Sequence, residues 1–402
     1  MAIVEIGTTS AAHDQRLKIA WLSPFPPHRT GVANYSSCLV QQLNNFFDID
    51  LYYEGEAPSS ELQSQFATQP VSSFADRRRD YDRIVYHLGN NHHYHTAIYT
   101  LAWDYPGIVV LHDYDLSGFM HEAFLKTNDD LYFAALPNGH SGIGRRGFDA
   151  LMRKVMARGH RDPMSHAIVN RSEMVIVHHR WVRDQFQDPS HIKVIPHFAK
   201  LNCAPTQAEV KAFRRKFGIK DGHFVLACLG FVNPNKLPQL QIEVVKRLLA
   251  EGYPVQLIFA GEPAPELGGL VNDVRAGELR ENIIVTGYQN EVDYFCAIAV
   301  ADVIINLRSP SMGEASGTLM HALAAAKPTI VSDVNQYREL PDKVCWKLVH
   351  DHTENDLLLE YLKTLLAEPA VRAAISKNAA DYVKNVLALE KVREYWIRAL
   401  TF

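Results

Sequence analysis

Residues 301–334, "ADVIINLRSPSMGEASGTLMHALAAAKPTIVSDV", contain a complete strand–loop–helix–strand unit. The two ends, ADVIINLR and PTIVSDV, are short runs of β-branched and apolar residues, which are typical of buried strands. Between them, the loop SPSMGEASG leads into a helical segment, TLMHALAAA. Strands that alternate with helices form parallel sheets with helices on both faces, so this stretch predicts an α/β fold.

The same alternation runs through the chain in two series. The strand-like runs of the first series are LKIAWLSP, IVYHLG, GIVVLHD, MVIVHH and KVIPHF; those of the second are FVLACLG, VQLIFAG, NIIVTGY, DVIINLR and PTIVSDV. The segment FAKLNCAPTQAEVKAFRRKFGIKDGH has no strand pattern and separates the two series. We therefore predict two doubly wound domains with a boundary near residue 200.

Composition and charge exclude several classes of protein. The 402 residues suffice for two or three domains, and 47% hydrophobic with 21% charged residues is ordinary for a globular chain. A net charge of −4, from 41 basic and 45 acidic residues, argues against a nucleic-acid partner. The start of the chain lacks a signal-peptide pattern, and no apolar run reaches the roughly 18 residues of a membrane span. We expect a cytoplasmic protein with five reduced cysteines, which at most visits a membrane surface.

Ligands of doubly wound sheets bind at the carboxyl ends of the strands, so the loops there are the candidate site. In the opening stretch, the first N–H groups of the helix have no partner within it and favour an anion; they belong to Ser316, Gly317, Thr318 and Leu319. The carboxylate of Glu314 accepts hydrogen bonds and suits sugar hydroxyls. Alternatively, Glu314 only caps the helix.

Three further residues follow predicted strands. Gly31 ends a possible phosphate-binding turn before a helix, although an ordinary strand-to-helix turn has the same pattern. Lys236, after an Asn-Pro-Asn turn, offers a point charge for a diphosphate, unless it is simply solvated. His112, joined to Asp113, either orients a substrate or moves a proton, or is a buried structural histidine.

Two other patterns are discounted. GIGRRG at residues 142–147 matches the dinucleotide-binding fingerprint, but a turn-rich loop precedes it instead of a strand; Arg145 and Arg146 are therefore expected to form a basic loop near the cleft. The histidines of YHLGNNHHYH and VHHRW lack the spacing of a zinc site. We expect them to belong to a polar loop lining the cleft, and we expect no bound metal.

Seven motifs, in order along the chain, resemble the GT-B fold glycosyltransferases of family 4: TGVANYS, VLHD, VIPHF, GFVNPNK, IFAGE, VTGY and GEASGTLMHALAAAKPTIVSDV. The resemblance spans nearly the whole chain and is strongest to a bacterial branch often tied to surface polysaccharides. It implies two Rossmann-like domains facing across a cleft, an acceptor domain (1–200) and a donor domain (201–379), with a C-terminal helix (380–402) crossing back to the first. That crossing would give Tyr395 and Trp396 a surface to cover.

The resemblance also implies an activity. Family members are retaining enzymes that transfer a sugar from a nucleotide-sugar donor, here expected to be a hexose passed to a saccharide or lipid-linked saccharide, without a cofactor or metal. His112, Glu314 and Lys236 would be the catalytic residues. The donor would be bound by Gly31, Gly230, Asn235, Gly261, Glu262, Gly287, Tyr288, Ser316, Gly317, Thr318 and Leu319.

Two positions depart from the family pattern. Family members usually have a second glutamate, for the ribose, eight positions after the first; this chain has Ala322 there, beside His321. Many members have an arginine after the glycine of the phosphate loop, where this chain has Phe231. Lys236 would then be the main positive charge on the leaving diphosphate, unless Arg308 or Arg29 substitutes. Two alternatives stay open. The same fold could catalyse a different reaction, as a nucleotide-sugar epimerase or hydrolase, and the two departures suggest a non-catalytic partner of another transferase.

Overall fold

The computed structural model describes residues 16–125, 129–136 and 162–402. Its first sheet is formed entirely by parallel strands, in the order β3-β2-β1-β4-β5-β6-β7. These strands are β1 (Lys18–Leu22), β2 (Asp48–Tyr53), β3 (Ala67–Pro70), β4 (Arg83–Leu88), β5 (Ile108–Leu111), β6 (Met174–Val177) and β7 (Ile192–Val194).

Helices cover both faces of this sheet. Alternate residues of β1 enter different cores: Ile19 and Trp21 pack on one face, and Ala20 and Leu22 on the other. The helices of this half are α1 (Gly31–Leu43), α2 (Ser60–Gln65), α3 (Phe74–Arg77), α4 (His92–Asp104), α5 (Ser117–Met120), α6 (Asp129–Ala134), α7 (His166–Arg171) and α8 (Arg180–Arg183).

The second sheet is also parallel, in the order β10-β9-β8-β11-β12-β13. Its strands are β8 (Phe224–Leu229), β9 (Val255–Ala260), β10 (Ile283–Val285), β11 (Val303–Asn306), β12 (Thr329–Ser332) and β13 (Trp346–Leu348). The remaining helices are α9 (Gln207–Phe217), α10 (Pro238–Ala250), α11 (Gly268–Ala276), α12 (Glu291–Val300), α13 (Gly317–Ala324), α14 (Glu354–Ala367), α15 (Pro369–Tyr382) and α16 (Leu389–Leu400).

The predicted fold class is confirmed. The opening stretch forms β11, α13 and β12, and the two strands pair in parallel, with Ile304 opposite Thr329. In each sheet the strand order reverses beside the first strand, between β1 and β4 and between β8 and β11. Crevices at such switch points bind the ligands of doubly wound folds.

Three strands were not predicted: β2, β3 and β13. β2 has the sequence DIDLYY, in which acidic residues interrupt the apolar run. The carboxylate of Asp50 is nevertheless buried, because the Tyr81 hydroxyl donates to it at 2.7 Å and Lys18 and Arg77 lie within 4 Å of it. Partners distant in sequence thus compensate for burying the charge, and no local pattern reveals them.

Helix α16 crosses back to the first sheet, as predicted. Trp396 is completely buried, its indole Nε1 donates to the Tyr35 hydroxyl of α1 at 3.2 Å, and its ring lies 5.3 Å from that of Trp21. The expectation that Tyr395 would also be covered is wrong, since its side chain is 43% exposed. Successive helical residues point about 100° apart, so only one of the two faces the sheet.

Within the described ranges, no helix combines the length and the apolar character that crossing a membrane requires. All five cysteines are free thiols. Cys228, Cys296 and Cys345 are buried, whereas Cys38 and Cys203 are partly exposed.

Candidate active site

The loops after β5 and β11 meet across the cleft between the two sheets. The amide of Ala315 donates to the carbonyl of His112 at 2.9 Å, and the amide of Asp115 donates to the carbonyl of Met312 at 3.0 Å. Both loops leave the carboxyl ends of their strands; β11 borders the switch point of the second sheet, and β5 lies one strand away from that of the first. Residues far apart in the sequence are thereby brought into one site.

Glu314 lies at this meeting point and is held by four donors. One carboxylate oxygen accepts from the Met312 amide (2.8 Å) and the Ser311 hydroxyl (3.1 Å). The other accepts from the Tyr337 hydroxyl (2.9 Å) and lies 3.3 Å from Nε of Arg308. A carboxylate has about four acceptor positions, so a sugar hydroxyl reaches Glu314 only by replacing one of these partners.

The alternative that Glu314 caps the following helix is wrong, because Ser316 does so. The Ser316 hydroxyl accepts from the amide of Leu319 at 3.4 Å. The amide of Leu319, expected to be open to an anion, is therefore occupied. In the described part of the chain, the amides of Ser316, Gly317 and Thr318 have no acceptor, so three of the four predicted N–H groups remain available to a ligand.

Asn306, the last residue of β11, is a site residue that the sequence analysis missed. Its side-chain oxygen accepts from the Thr318 hydroxyl at 2.9 Å, while its buried amide nitrogen has no partner among the described residues. A buried donor without a partner is costly unless a ligand or water fills the position. The only sequence signal was a polar residue ending an apolar strand.

Lys236 is buried rather than solvated, so the solvated alternative is wrong. It ends a short 3-10 turn at Pro234–Lys236, only 3% of its surface is exposed, and its ammonium group donates to the carbonyl of Leu229. Burial first, and then the nearby Arg308, lower the pKa of Lys236 to about 7. In the described ranges no carboxylate pairs with it, which leaves a cation available to an incoming anion.

Two predicted glycines allow this loop to pack closely. Gly230 has φ +74°, and a Cβ there would lie 2.9 Å from Cγ2 of Thr318 and 3.5 Å from Nζ of Lys236. A Cβ on Gly261 would lie 2.2 Å from the carbonyl oxygen of Gly230. Larger residues at either position would push the loops apart. The structure thus brings together four predicted residues from three loops.

Other predicted donor residues lie at the neighbouring edge. The amide of Tyr288 donates to the Glu262 carboxylate at 3.0 Å, next to Gly287. The ring of Tyr288 is half-exposed, and the guanidinium of Arg29, from the first domain, lies 4.2 Å from its centroid. Arg29 is thus positioned at the cleft, whereas Arg308 is paired with Glu314.

For the remaining predicted residues, the described part of the chain shows no side-chain contact that fixes a role. The carbonyl of Asn235 accepts from the amide of Ser309 at 2.8 Å, so Asn235 ties the Lys236 turn to the loop after β11. Gly31 is the first residue of α1, and a Cβ there would meet nothing within 4 Å. Phe231, at the position of the family arginine, is half-exposed.

The structure distinguishes between His321 and Ala322. Ala322 is completely buried in the core beside β8 and β11. His321 is partly exposed and lies one helical turn after Thr318, on the same face of α13; its Nδ1 lies 3.0 Å from the Tyr294 hydroxyl. Burial lowers the pKa of His321 to about 4, so the ring is neutral. His321 is therefore the residue of this turn that a ligand can reach.

The side chain of His112 lies in a buried histidine cluster. Its Nε2 lies 2.9 Å from Nδ1 of His87, and its Nδ1 lies 3.3 Å from Nε2 of His178. Nδ1 of His178 donates to the carbonyl of Ile195 at 2.9 Å, and burial lowers the pKa of all three imidazoles. Both ring nitrogens of His112 are engaged, so a catalytic role for His112 would require the cluster to rearrange.

The expectation that these histidines line a polar loop is wrong for His87, His95 and His178, which are buried. β4 extends through Leu88, so His87 belongs to a strand, and Asn91 caps a helix that carries His95 inward. Among the described residues, no three His, Cys, Asp or Glu side chains are arranged to hold a metal ion. The GIGRRG motif, with Arg145 and Arg146, lies outside the described residues.

Asp113, noted in the sequence only as a neighbour of His112, is a further carboxylate at the cleft. The amide of Asn90 donates to it at 2.8 Å. Burial first, with Glu314 and Asp115 contributing, raises the pKa of Asp113 to about 7.

Comparisons with known proteins agree with this arrangement. Residues 209–382 match the sequence model of the family described as "Glycosyl transferases group 1". The chain is 25% identical over 180 residues to alpha-D-kanosaminyltransferase of Streptomyces kanamyceticus, covering 44% of this chain and 45% of that protein. It is 29% identical over 197 residues to alpha-monoglucosyldiacylglycerol synthase of Streptococcus pneumoniae, covering 48% and 43%. Each match thus spans less than half of the relative's length.

The similarity of fold extends over nearly the whole chain. The crystal structure of Anabaena HepE in complex with UDP superposes with a TM-score of 0.67 at 14% identity, covering 96% of this chain and 100% of HepE. HepE has also been crystallised with UDP-glucose. At this level of identity the likeness shows the fold alone. The likeness and the two parallel sheets described above show the GT-B fold, and residues 209–382 match the group 1 glycosyltransferase family.

Proposed function

We propose that the protein is a retaining glycosyltransferase that moves a hexose from a nucleotide-sugar to a saccharide or lipid-linked saccharide acceptor, in the synthesis of a surface polysaccharide. The observation that carries the proposal is the convergence of Lys236, the free amides at the start of α13 and Glu314 at one switch point. A diphosphate suits the first two groups and sugar hydroxyls suit the third. The loops of the other domain close the cleft above them.

The names of similar proteins support this choice. The bound molecules of HepE are UDP and UDP-glucose, and the two curated relatives are named alpha-D-kanosaminyltransferase and alpha-monoglucosyldiacylglycerol synthase, the second after a lipid. Retention of configuration gives an α-linked product when the donor sugar is α-linked. A lipid-linked acceptor would bring the protein to the inner face of a membrane in the cytoplasm.

In the proposed mechanism, the bond between the anomeric carbon and the diphosphate oxygen breaks while the acceptor oxygen bonds to that carbon on the same face. The acceptor's proton passes to the departing diphosphate. The chain contributes positioning and charge: Lys236 and the α13 amides stabilise the negative charge that develops on the leaving group. Glu314 is unsuited to be a nucleophile, since both its oxygens are engaged and Arg308 pairs with it.

The first test is a thermal-shift screen of UDP-, GDP-, ADP- and dTDP-sugars, since a ligand that binds only the folded state raises the melting temperature. The donor that binds is then incubated with and without acceptors, and the anomeric configuration of the product is read by NMR. Acceptor-dependent transfer with retention supports the proposal. Conversion without any acceptor indicates an epimerase or hydrolase instead.

A non-catalytic role is the second candidate, because Ala322 is buried where the family has its second glutamate and Phe231 replaces the phosphate-binding arginine. A protein that binds a donor but neither transfers its sugar nor slowly hydrolyses it would have this role. We also propose that transfer needs no metal or cofactor. Unchanged rates after dialysis against EDTA are expected, and loss of activity that Mg²⁺ or Mn²⁺ restores would contradict this part of the proposal.

A further inference from the structure

A short segment of the second domain contacts both the first domain and Glu314. This segment, the 3-10 turn Asn335–Glu339 after β12, is named here the coupling turn. At its end, the carboxylate of Glu339 accepts from the backbone amides of Arg180 (3.1 Å) and Trp181 (2.5 Å), the first two residues of α8. One side chain thus binds two donors across the domain boundary.

The other residues of the coupling turn hold Glu314 in place. The hydroxyl of Tyr337 donates to the Glu314 carboxylate at 2.9 Å, and the side-chain amide of Gln336 donates to the Glu314 carbonyl at 3.0 Å. Both Tyr337 and Gln336 are about 1% exposed. Because both side chains are buried and bonded to Glu314, a displacement at Glu339 would be transmitted to the loop that carries Glu314.

Helix α8 contacts the same loop directly. Gly313, which precedes Glu314, has φ +69°, and a Cβ there would lie 2.9 Å from the ring of Trp181 and 2.6 Å from Tyr114. Helix α8 and the loop after β5 therefore cover the Glu314 loop together. The two amide bonds to Glu339 are the hydrogen bonds that fix α8 to the second domain in the described part of the chain.

We propose that Glu339 is a positioning residue: it fastens the closed arrangement of the two domains and, through Tyr337 and Gln336, couples closure to the orientation of Glu314. The expected effect of Glu339 on sugar transfer rests on the proposed function. Its expected effects on domain closure and on the Glu314 loop do not. Among the described residues, no hydrogen bond joins Glu339 to Lys236 or to the α13 amides, so its loss should leave binding of the donor diphosphate intact.

The test compares Glu339→Ala and Glu339→Gln with the wild-type protein. A matched control is Asp342→Asn, because Asp342 lies three residues further on, is exposed, and pairs at 2.7 Å with Lys347 of its own domain. Three quantities are measured: the radius of gyration by small-angle X-ray scattering without ligand, amide hydrogen exchange in residues 309–316, and transfer kinetics with the donor dissociation constant.

For Glu339→Ala we expect a larger radius of gyration, faster exchange in residues 309–316, and a kcat lowered roughly tenfold, since two hydrogen bonds to a charged group are lost. Donor affinity should stay within about twofold. Glu339→Gln keeps one acceptor oxygen and should give an intermediate kcat, while Asp342→Asn should match the wild type.

Two results would overturn the inference. Scattering and exchange equal to the control would show that Glu339 fastens nothing. A fall in kcat that is matched by an equal loss of donor affinity, with an unchanged radius, would make Glu339 a structural residue only. If the wild type transfers no sugar, the proposed function fails, while scattering and exchange still decide whether Glu339 couples closure to the Glu314 loop.

Discussion

Replacing Lys236 by methionine is expected to stabilise the unliganded protein while removing its activity. Lys236 is 3% exposed, has no carboxylate partner among the described residues, and has a pKa lowered from 10.5 to about 7 by burial and by Arg308. Methionine has a similar length without the charge. The substitution therefore removes a group whose charged form the folded protein disfavours.

The shift in the pKa of Lys236 determines how much the free energy of unfolding should change. The pKa of Lys236 falls from 10.5 to about 7, so at 1.36 kcal/mol per pKa unit the charged lysine destabilises the folded protein by about 5 kcal/mol. At pH 7 this destabilisation is about 4 kcal/mol, because half of the folded molecules have already released the proton. The variant also loses the hydrogen bond from Lys236 to the Leu229 carbonyl, which lowers its stability by about 1–2 kcal/mol. The net expectation is that Lys236→Met raises the free energy of unfolding by roughly 2–3 kcal/mol at pH 7.

The sign of the pH dependence follows from proton binding. Between pH 7 and 10.5 the unfolded chain binds the lysine proton and the folded protein does not, so wild-type stability rises with pH through this window. The advantage of Lys236→Met should therefore be largest below pH 7 and shrink by pH 9.5.

Urea unfolding at pH 6.5, 7.5, 8.5 and 9.5 measures this difference. The control is Lys246→Met, since Lys246 is an exposed lysine of the adjacent helix α10, and its replacement should change stability by less than about 0.5 kcal/mol at any pH. If Lys236→Met is no more stable than the wild type at pH 6.5, or if its advantage does not vary with pH, Lys236 is not a buried, unpaired amine and the reasoning is wrong.

Three further predictions concern the charged groups of the cleft. Lys236→Ala and Glu314→Ala should each lower turnover more than tenfold with unchanged circular dichroism, and near-normal transfer by either variant would remove that residue from the mechanism. Donor binding at pH 7 should take up a fraction of a proton, because a diphosphate raises the pKa of Lys236 from about 7; calorimetry in phosphate and Tris buffers should give different binding enthalpies, and equal ones would contradict this. Asp113→Asn should retain most activity and the anomeric configuration, whereas complete loss would favour Asp113 as a nucleophile. Because the pKa of Asp113 is raised to about 7, wild-type stability relative to this variant should fall as pH rises from about 4 to 7, and a flat difference in urea unfolding would refute that.

Much of the fold was predictable because the strands of a doubly wound sheet are continuous apolar runs. β4, β5, β8, β9 and β11 all correspond to such runs in the sequence. β2 was missed because Asp50 is neutralised by residues outside the strand. β13, Trp346–Leu348, was missed because Lys347 interrupts its short sequence, so it contains no apolar run.

The candidate site was predictable in position but not in detail. The rule that ligands bind at the carboxyl ends of strands led to Lys236, Glu314 and the start of α13. It did not reveal that Lys236 is buried, that Ser316 occupies the amide of Leu319, or that Asn306 completes the site. These facts depend on contacts between loops of different strands, which one-dimensional spacing does not contain.

The sequence by itself determined the order of strands and helices, the two parallel sheets and the loops where they converge, because these depend on local periodicity and chain connectivity. The tertiary structure decided what each polar side chain does. His112 is turned into a buried cluster, His321 rather than Ala322 is accessible, and Glu339 joins the domains, since each of these outcomes depends on which partners the folded chain places within a few ångströms.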